Sequence, residues 1–217
     1  MKLRPYQEDA VRSCNTSLAK VGSTLLVMPT GTGKTVVFSQ LVKNNPGRSI
    51  VIAHREELIY QAASKIENVC GFRPAIEMAE LKSNESIGGG LFQNKCVVAS
   101  VQTLNAKWGN SKRRNKFSPY DFSLVIIDEA HHSVANSYLE TIKHFRRNPH
   151  LKVCGVSATP DRADKLALGS VFEDVAYNYE IYQAIKDGWL VPIVSNQVVV
   201  ESLDFSHVRK TAGDFNQ

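Results

Sequence analysis

The sequence has no long hydrophobic run. Its longest, TLLVM at 24–28 and SLVII at 123–127, fall far short of the roughly 20 apolar residues that a membrane-spanning helix requires. The N-terminal MKLRPYQEDAVRS lacks the apolar core of a secretory leader, so the protein reads as intracellular, cytoplasmic or nucleoid-associated, with no membrane partner. Cysteine is scarce: Cys14, Cys70, Cys96 and Cys154 form no CxxC pair, and Cys96 and Cys154 lie inside apolar runs, where a reduced thiol behaves as a small hydrophobe. No internal repeat or low-complexity tract is present. With 43% hydrophobic and 22% charged residues, the composition is that of a folded globular chain and excludes disorder as its main state.

What is present is a period that changes along the chain. Short apolar runs predict strands at Thr24–Met28, Ser49–Ala53, Cys96–Ser100, Leu124–Asp128 and Lys152–Ser157, with later ones near Ala176–Tyr179 and Ile193–Val200. Several lack polar alternation, as strands covered on both faces do. Between them apolar residues recur at helical spacing: Ile59, Ala62, Ala63, Ile66 and Cys70 form one stripe, and Val134, Tyr138, Ile142 and Phe145 another. Strands alternating with helices predict an α/β fold with a mostly parallel sheet and helices on both faces. SIGGGLFQNK at 86–95 reads as a flexible loop. The charge run Lys112, Arg113, Arg114 and Lys116 reads as an exposed loop, either a solvated surface or a polyanion contact. The net charge of +5 permits such a partner without requiring one.

Three motifs carry chemistry. The first is PTGTGKT at 29–35, between a predicted strand and a predicted helix. Thr30, Gly31, Thr32 and Gly33 make a small, tightly turning loop whose backbone N–H groups can face an anion, and the helix that follows adds the positive end of its dipole. Lys34 would reach outer phosphates and the Thr35 hydroxyl would ligate Mg2+. Met28 stands where the strict G-x-x-x-x-G-K-[ST] pattern has glycine; a strand-end side chain is tolerated there if it points into the core. The second motif is LVIIDEAHH at 124–132. Ligands bind beyond the carboxyl ends of parallel strands, which sets Asp128 and Glu129 beside the phosphate loop. Asp128 would hold Mg2+ and Glu129 would orient and deprotonate an attacking water. His131 and His132 are adjacent with no further ligand at metal spacing, which disfavours zinc. The third is VCGVSATP at 153–160, in which Ser157 and Thr159 can hydrogen-bond His131. No guanine-reading Asn-Lys-x-Asp segment and no kinase-like arginine lid is found.

In this order, MPTGTGKT, IIDEAHH and GVSATP resemble motifs I, II and III of superfamily 2 helicases of the DEAD/DEAH-box group. LRPYQ at 3–7 is similar to the N-terminal glutamine motif, VIAHREEL at 51–58 to motif Ia and VASVQTL at 98–104 to motif Ib. The DEAHH style is most similar to translocases of DNA repair and type I restriction. The resemblance implies a RecA-like P-loop NTPase fold with the Ser157 strand between the phosphate-loop and Asp128 strands. It implies ATP and Mg2+ as cofactors, Arg4 and Gln7 as further nucleotide-binding residues, and His131, Ser157 and Thr159 as couplers of the γ-phosphate state. It also implies a second RecA-like domain carrying an arginine finger, so that residues 1–195 are read as the first motor domain and 196–217 as the start of a linker.

Motif Ia and Ib residues contact sugar-phosphate backbone in this group, which implies a nucleic-acid partner, most plainly DNA, met by Arg55, Gln102 and Thr103. A helix-start surface role is the alternative for Arg55. The whole reads as the ATP-binding part of an ATP-dependent helicase or translocase, nearly inactive without its second domain. An ATP-gated clamp that does not unwind, or an RNA helicase, is the alternative.

Overall fold

The computed structural model describes residues 2–79, 94–158 and 168–194, with the backbone at 210–211 and 214–215. Its centre is a seven-stranded sheet in the order β3-β4-β2-β7-β8-β1-β9. The strands are β1 (Ser23–Val27), β2 (Arg48–Ala53), β3 (Ala75–Glu77), β4 (Cys96–Ser100), β7 (Phe122–Asp128), β8 (Lys152–Ser157) and β9 (Asp174–Asn178). Every pairing in this sheet is parallel. A separate hairpin joins β5 (Lys107–Trp108) to β6 (Ser111–Lys112), and a second pairs the backbone of Lys210–Thr211 with Asp214–Phe215. The strand ending at Ser157 lies between those ending at Val27 and Asp128, the order that the resemblance implies.

The period of two along the buried strands decides which helices pack where. Leu26, Val51, Val98, Ile126 and Cys154 face one side, and Leu25, Ile50, Val97, Val125 and Val153 the other. The first side is covered by α1 (Pro5–Lys20), α2 (Lys34–Asn44) and α3 (Glu56–Cys70), through Cys14, Phe38, Leu41, Ile59 and Ile66. The second is covered by α4 (Val101–Asn105), α5 (Asn136–Phe145) and the aromatic residues Phe117 and Phe172. Strands with apolar residues on both faces require helices on both faces, and the sheet has them. Met28 is fully buried among the first set. Cys14, Cys96 and Cys154 are buried and all four cysteines are free; burial pushes the Cys96 thiol up, away from reactivity.

Close packing at the centre depends on Gly155 in β8. A Cβ there would stand 2.3 Å from Phe172 Cζ and 2.9 Å from Ala130 Cβ. The glycine lets the 3-10 segment Ala130–Val134 lie against the strand, directly after the Asp128–Glu129 pair.

The expected strand positions hold to within a residue or two, with two exceptions. β3 has only three residues and carries no readable period. Ile193 and Val194 are exposed and form no strand, and the remainder of the expected run, 195–200, lies outside the described residues. Residues 86–93 of the glycine-rich stretch also lie outside them. Val134 lies in the 3-10 segment before α5, yet it packs against the same core as Tyr138, Ile142 and Phe145.

The charge run is corrected in kind. Residues 107–116 form a hairpin followed by a 3-10 turn, not a loop. Arg113 is buried at 7% exposure and binds Glu77, itself fully buried, through Nε and Oε1 at 2.5 Å. Lys116 Nζ meets the other carboxylate oxygen at 2.8 Å. A buried acid at the end of β3 draws two cations inward because a carboxylate there is costly unless it is paired.

Candidate active site

Parallel register brings the motifs to one rim. Val27 pairs with Ser157 and Asp128 with Val156, while Ala53 pairs with Ser100 and Ile52 with Ile127. The carboxyl ends of β1, β8, β7, β2 and β4 therefore open on the same edge, and the residues that follow each strand face one another there.

The phosphate loop begins where the Met28 N–H donates to the Ser157 carbonyl at 3.0 Å, so the side chain of Met28 turns into the core and the backbone continues as a ladder. Thr32 closes the turn, its hydroxyl donating to the Pro29 carbonyl at 2.6 Å. Gly31 and Gly33 sit at φ 86° and 84°, a left-handed backbone open to glycine at little cost. A Cβ on Gly33 would also lie 2.6 Å from Gln7 Nε2. No side chain caps α2, so its first N–H groups remain for an anion. Thr30 and Gly31 are exposed, while Lys34 and Thr35 are half-buried at the mouth of the loop.

Gln7 is buried behind this loop. Its Nε2 donates to the Thr32 carbonyl and its Oε1 accepts the Arg4 N–H, both at 3.0 Å. The geometry makes it a brace for the phosphate loop. Tyr6 adds a second brace, its hydroxyl donating to the same Thr32 carbonyl at 2.8 Å. Sequence reasoning passed over Tyr6 and the aromatic group it belongs to: the Tyr6 ring stacks on Tyr179 at 4.7 Å and meets Trp189 edge-on at 5.5 Å. Exposed Arg4 lies over Trp189 at 4.7 Å, and a Cβ on Gly31 would come within 3.2 Å of Leu190. The Tyr within LRPYQ was the available signal. Trp189 gave none, since its partners lie more than 180 residues earlier in the chain.

Asp128 and Glu129 stand opposite the loop. Asp128 is 6% exposed, and its carboxyl is pushed up to about 6 by burial and by the negative charge of Glu129, opposed by the Glu129 N–H, Lys34 and His131. Glu129 takes a left-handed backbone, φ 50° and ψ 57°, which is uncommon for a residue with a side chain and concentrates at functional sites. Its N–H donates to Asp128 Oδ1 at 3.0 Å. His131 Nδ1 lies 3.5 Å from both Glu129 Oε2 and Ser157 Oγ. Thr159 lies outside the described residues. Among the described residues, no group of three or more His, Cys, Asp or Glu side chains could hold a metal ion by themselves.

Further along the rim, Arg55 is exposed at the start of α3. Gln102 Nε2 donates to the His54 carbonyl at 3.1 Å and its Oε1 accepts the Ser100 hydroxyl at 2.7 Å, which ties the two loops together. Thr103 is buried and its hydroxyl accepts the Ala79 N–H at 2.9 Å, which directs it away from the rim surface. The His54 ring meets His132 at 4.5 Å, joining this region to the segment after Glu129. A cleft of about 560 Å³ between Leu25, Phe172 and Ile181 is lined by Pro29 and Tyr179 but by none of Lys34, Asp128, Glu129, His131 or Arg55, and the polar chemistry lies on the open rim instead.

Residues 1–162 match the family described as "Type III restriction enzyme, res subunit". The chain is 36% identical to the Saccharomyces cerevisiae protein named "Putative ATP-dependent helicase IRC3", over 98% of this chain and 31% of that one. It is 26% identical to the type I restriction enzyme EcoAI endonuclease subunit of Escherichia coli, over 87% of this chain and 23% of that one. Among solved structures, the Hef helicase domain of Pyrococcus furiosus superposes with a TM-score of 0.64 at 25% identity, over 79% of this chain and 37% of that one. The chain thus spans about a third or less of each of these relatives' length. Among the described residues no helix is long and apolar enough to cross a membrane.

Proposed function

The chain belongs to the Type III restriction enzyme, res subunit family, and from that premise we propose that residues 1–195 form the ATP-binding first motor domain of an ATP-dependent DNA helicase or translocase, with 196–217 beginning a linker. The observation that carries this reading is the common rim: the loop around Lys34, the Asp128–Glu129 pair and the Arg55–Gln102 surface all follow strands whose carboxyl ends are in register.

ATP fits the rim as a polyphosphate fits an uncapped helix start behind two left-handed glycines. Lys34 would contact the outer phosphates, and the N–H groups of residues 31–35 would surround them. Glu129 would orient the attacking water and take its proton. Mg2+ fits the donor set: Thr35 and Asp128 offer hard oxygen ligands, and the Asp128 carboxyl, raised by burial and then by the charge of Glu129, is a buried acid whose charge a divalent cation offsets. Thr35 and Asp128 would hold it, and when bound it neutralises charge on the phosphate oxygens. His131, within reach of both Glu129 and Ser157, would transmit the state of the terminal phosphate to β8. Arg55 and Gln102 would meet the sugar-phosphate backbone, while Thr103 holds the loop beneath them. Backbone contacts read no base sequence.

A second RecA-like domain would supply an arginine to the transition state, a contribution of about 10³–10⁵ in rate, so the 217-residue chain by itself hydrolyses ATP very slowly. The decisive pair of variants is Lys34→Ala and Glu129→Gln, read by equilibrium binding of a fluorescent ATP analogue and by single-turnover phosphate release. Lys34→Ala loses binding. Glu129→Gln keeps binding and slows release by about 10²–10⁴. Turnover by Glu129→Gln equal to that of the unaltered chain ends this assignment. Strand displacement by a chain that includes the second domain separates a translocase from an ATP-gated clamp.

A further inference from the structure

Beyond the rim, residues 107–116 hold five lysines and arginines, one tryptophan and no acid. Two strands of two residues are too short to be stable alone, yet this hairpin is anchored from several directions. The Arg113 N–H donates to the Ala106 carbonyl at 2.9 Å. Its guanidinium binds the buried Glu77 and donates to the Ala79 carbonyl at 2.6 Å, and Arg114 bonds Asn105 at the end of α4. A buried ion pair is an expensive way to hold a surface turn. What it holds outward is informative.

The turn has Gly109 at φ 56° in its first central position, the backbone that suits a tight two-residue hairpin, and a Cβ there would touch nothing within 4 Å. Register pairs Lys107 with Lys112 and Trp108 with Ser111. Two lysines directly across a ladder repel each other, an arrangement that an anion relieves. Trp108 keeps 40% of its surface exposed although Arg113 and Lys116 lie against its ring at 5.3 and 5.8 Å. The hairpin begins two residues after the end of α4, the helix that carries Gln102.

We propose that the Lys107–Lys112 hairpin is a binding site for single-stranded nucleic acid, in which Trp108 stacks on a base while Lys107 and Lys112 grip the flanking phosphates. The inference rests on the reading of the rim given above and adds the strandedness of its ligand. A base in a duplex is already stacked on both faces, so an aromatic platform favours the single strand, whereas lysines serve either form.

The test uses the 217-residue chain at low salt with an oligothymidylate of about 20 nucleotides and a blunt duplex of equal length, followed by fluorescence anisotropy. Removing one base–aromatic stack corresponds to roughly 5- to 150-fold in affinity. Trp108→Ala weakens single-strand binding by that factor and leaves duplex binding unchanged; Trp108→Phe restores most of the loss. Tryptophan emission of the unaltered chain is quenched on titration with the oligonucleotide, and the quench disappears in Trp108→Phe, which decides the matter even where Trp108→Ala folds poorly. Unchanged single-strand affinity in Trp108→Ala, equal losses for strand and duplex, or an unquenched Trp108 overturns the inference. In those cases binding that still falls in Arg55→Ala leaves the rim reading intact, whereas a chain that binds neither ligand removes both.

Discussion

Replacing Asp128 by asparagine should make the ligand-free protein more stable while it disables the site. The carboxyl of Asp128 moves from 3.8 to about 6 on folding, first through burial and then through the charge of Glu129. At about 1.4 kcal/mol per pH unit, that displacement amounts to roughly 3 kcal/mol held against the folded state once the group is ionised. The sign follows from proton counting. Between about pH 4 and pH 6 the folded chain holds a proton at Asp128 that the unfolded chain has released, so this group's contribution to stability falls as pH rises through that window. Above it the penalty is complete. Asparagine keeps the shape and an oxygen able to accept the Glu129 N–H, and carries no charge to bury.

The assay is thermal unfolding of the unaltered chain and Asp128→Asn without nucleotide or divalent metal, near pH 5 and near pH 8. The variant should gain on the order of 1–3 kcal/mol near pH 8, several degrees for a chain of this size, and clearly less near pH 5. Adding ATP with Mg2+ should reverse the order, because the unaltered chain gains ligand stabilisation that the variant lacks. An Asp128→Asn chain less stable near pH 8, or a difference independent of pH, would refute the reasoning.

Three further outcomes are expected. Gly155→Ala forces its Cβ against Phe172 and Ala130 and should lower stability by about 1–3 kcal/mol, read by chemical denaturation; an unchanged midpoint refutes the packing argument. Arg113→Met strips the principal cation from buried Glu77 and should destabilise by about 3 kcal/mol, at the low end for a broken buried pair because Lys116 remains; Arg113→Met with Glu77→Leu should recover part of that loss. Gly33→Ala adds a side chain at φ 84° and 2.6 Å from Gln7 Nε2, and should weaken ATP binding severalfold with little change in the far-ultraviolet spectrum.

The sheet was legible because its information is periodic. Leu124, Val125, Ile126 and Ile127 are apolar without alternation, which requires cover on both faces, and the resemblance to superfamily 2 helicases implied that the Ser157 strand lies between those of the phosphate loop and Asp128. Lys34, Asp128 and Glu129 were legible for the same reason: each follows a readable strand, and parallel strands share a carboxyl edge. Arg113 was not. Its partner Glu77 ends a three-residue strand with no period of its own, and nothing local separates an inward arginine from its solvated neighbours. The resemblance singled out Gln7, but its hydrogen bond to the Thr32 carbonyl was not legible, since that contact depends on how α1 lies over the loop. Trp189 was out of reach for a similar cause: its partners Arg4 and Tyr6 lie at the opposite end of the described chain.

Several residues that break local rules gather near the acid pair, with Ala79, at φ 45°, lying apart. Glu129 holds a left-handed backbone that disfavours side chains, at about 1–3 kcal/mol. Asp128 is an acid buried beside another acid. Among the described residues the buried side-chain atoms without a hydrogen-bond partner are His54 Nδ1, Ser133 Oγ and Tyr138 Oη, and each such atom forfeits about 1–3 kcal/mol. Ser133 and Tyr138 follow Glu129 within ten residues of the chain, and His54 packs on His132, the residue before Ser133. Burial and the charges of Asp128 and Glu129 also raise the Tyr138 hydroxyl, so the unpaired group senses the acid pair. The segment from Asp128 to Tyr138 thus gathers several of these deficits, and the His54–His132 contact joins it to the loop that presents Arg55.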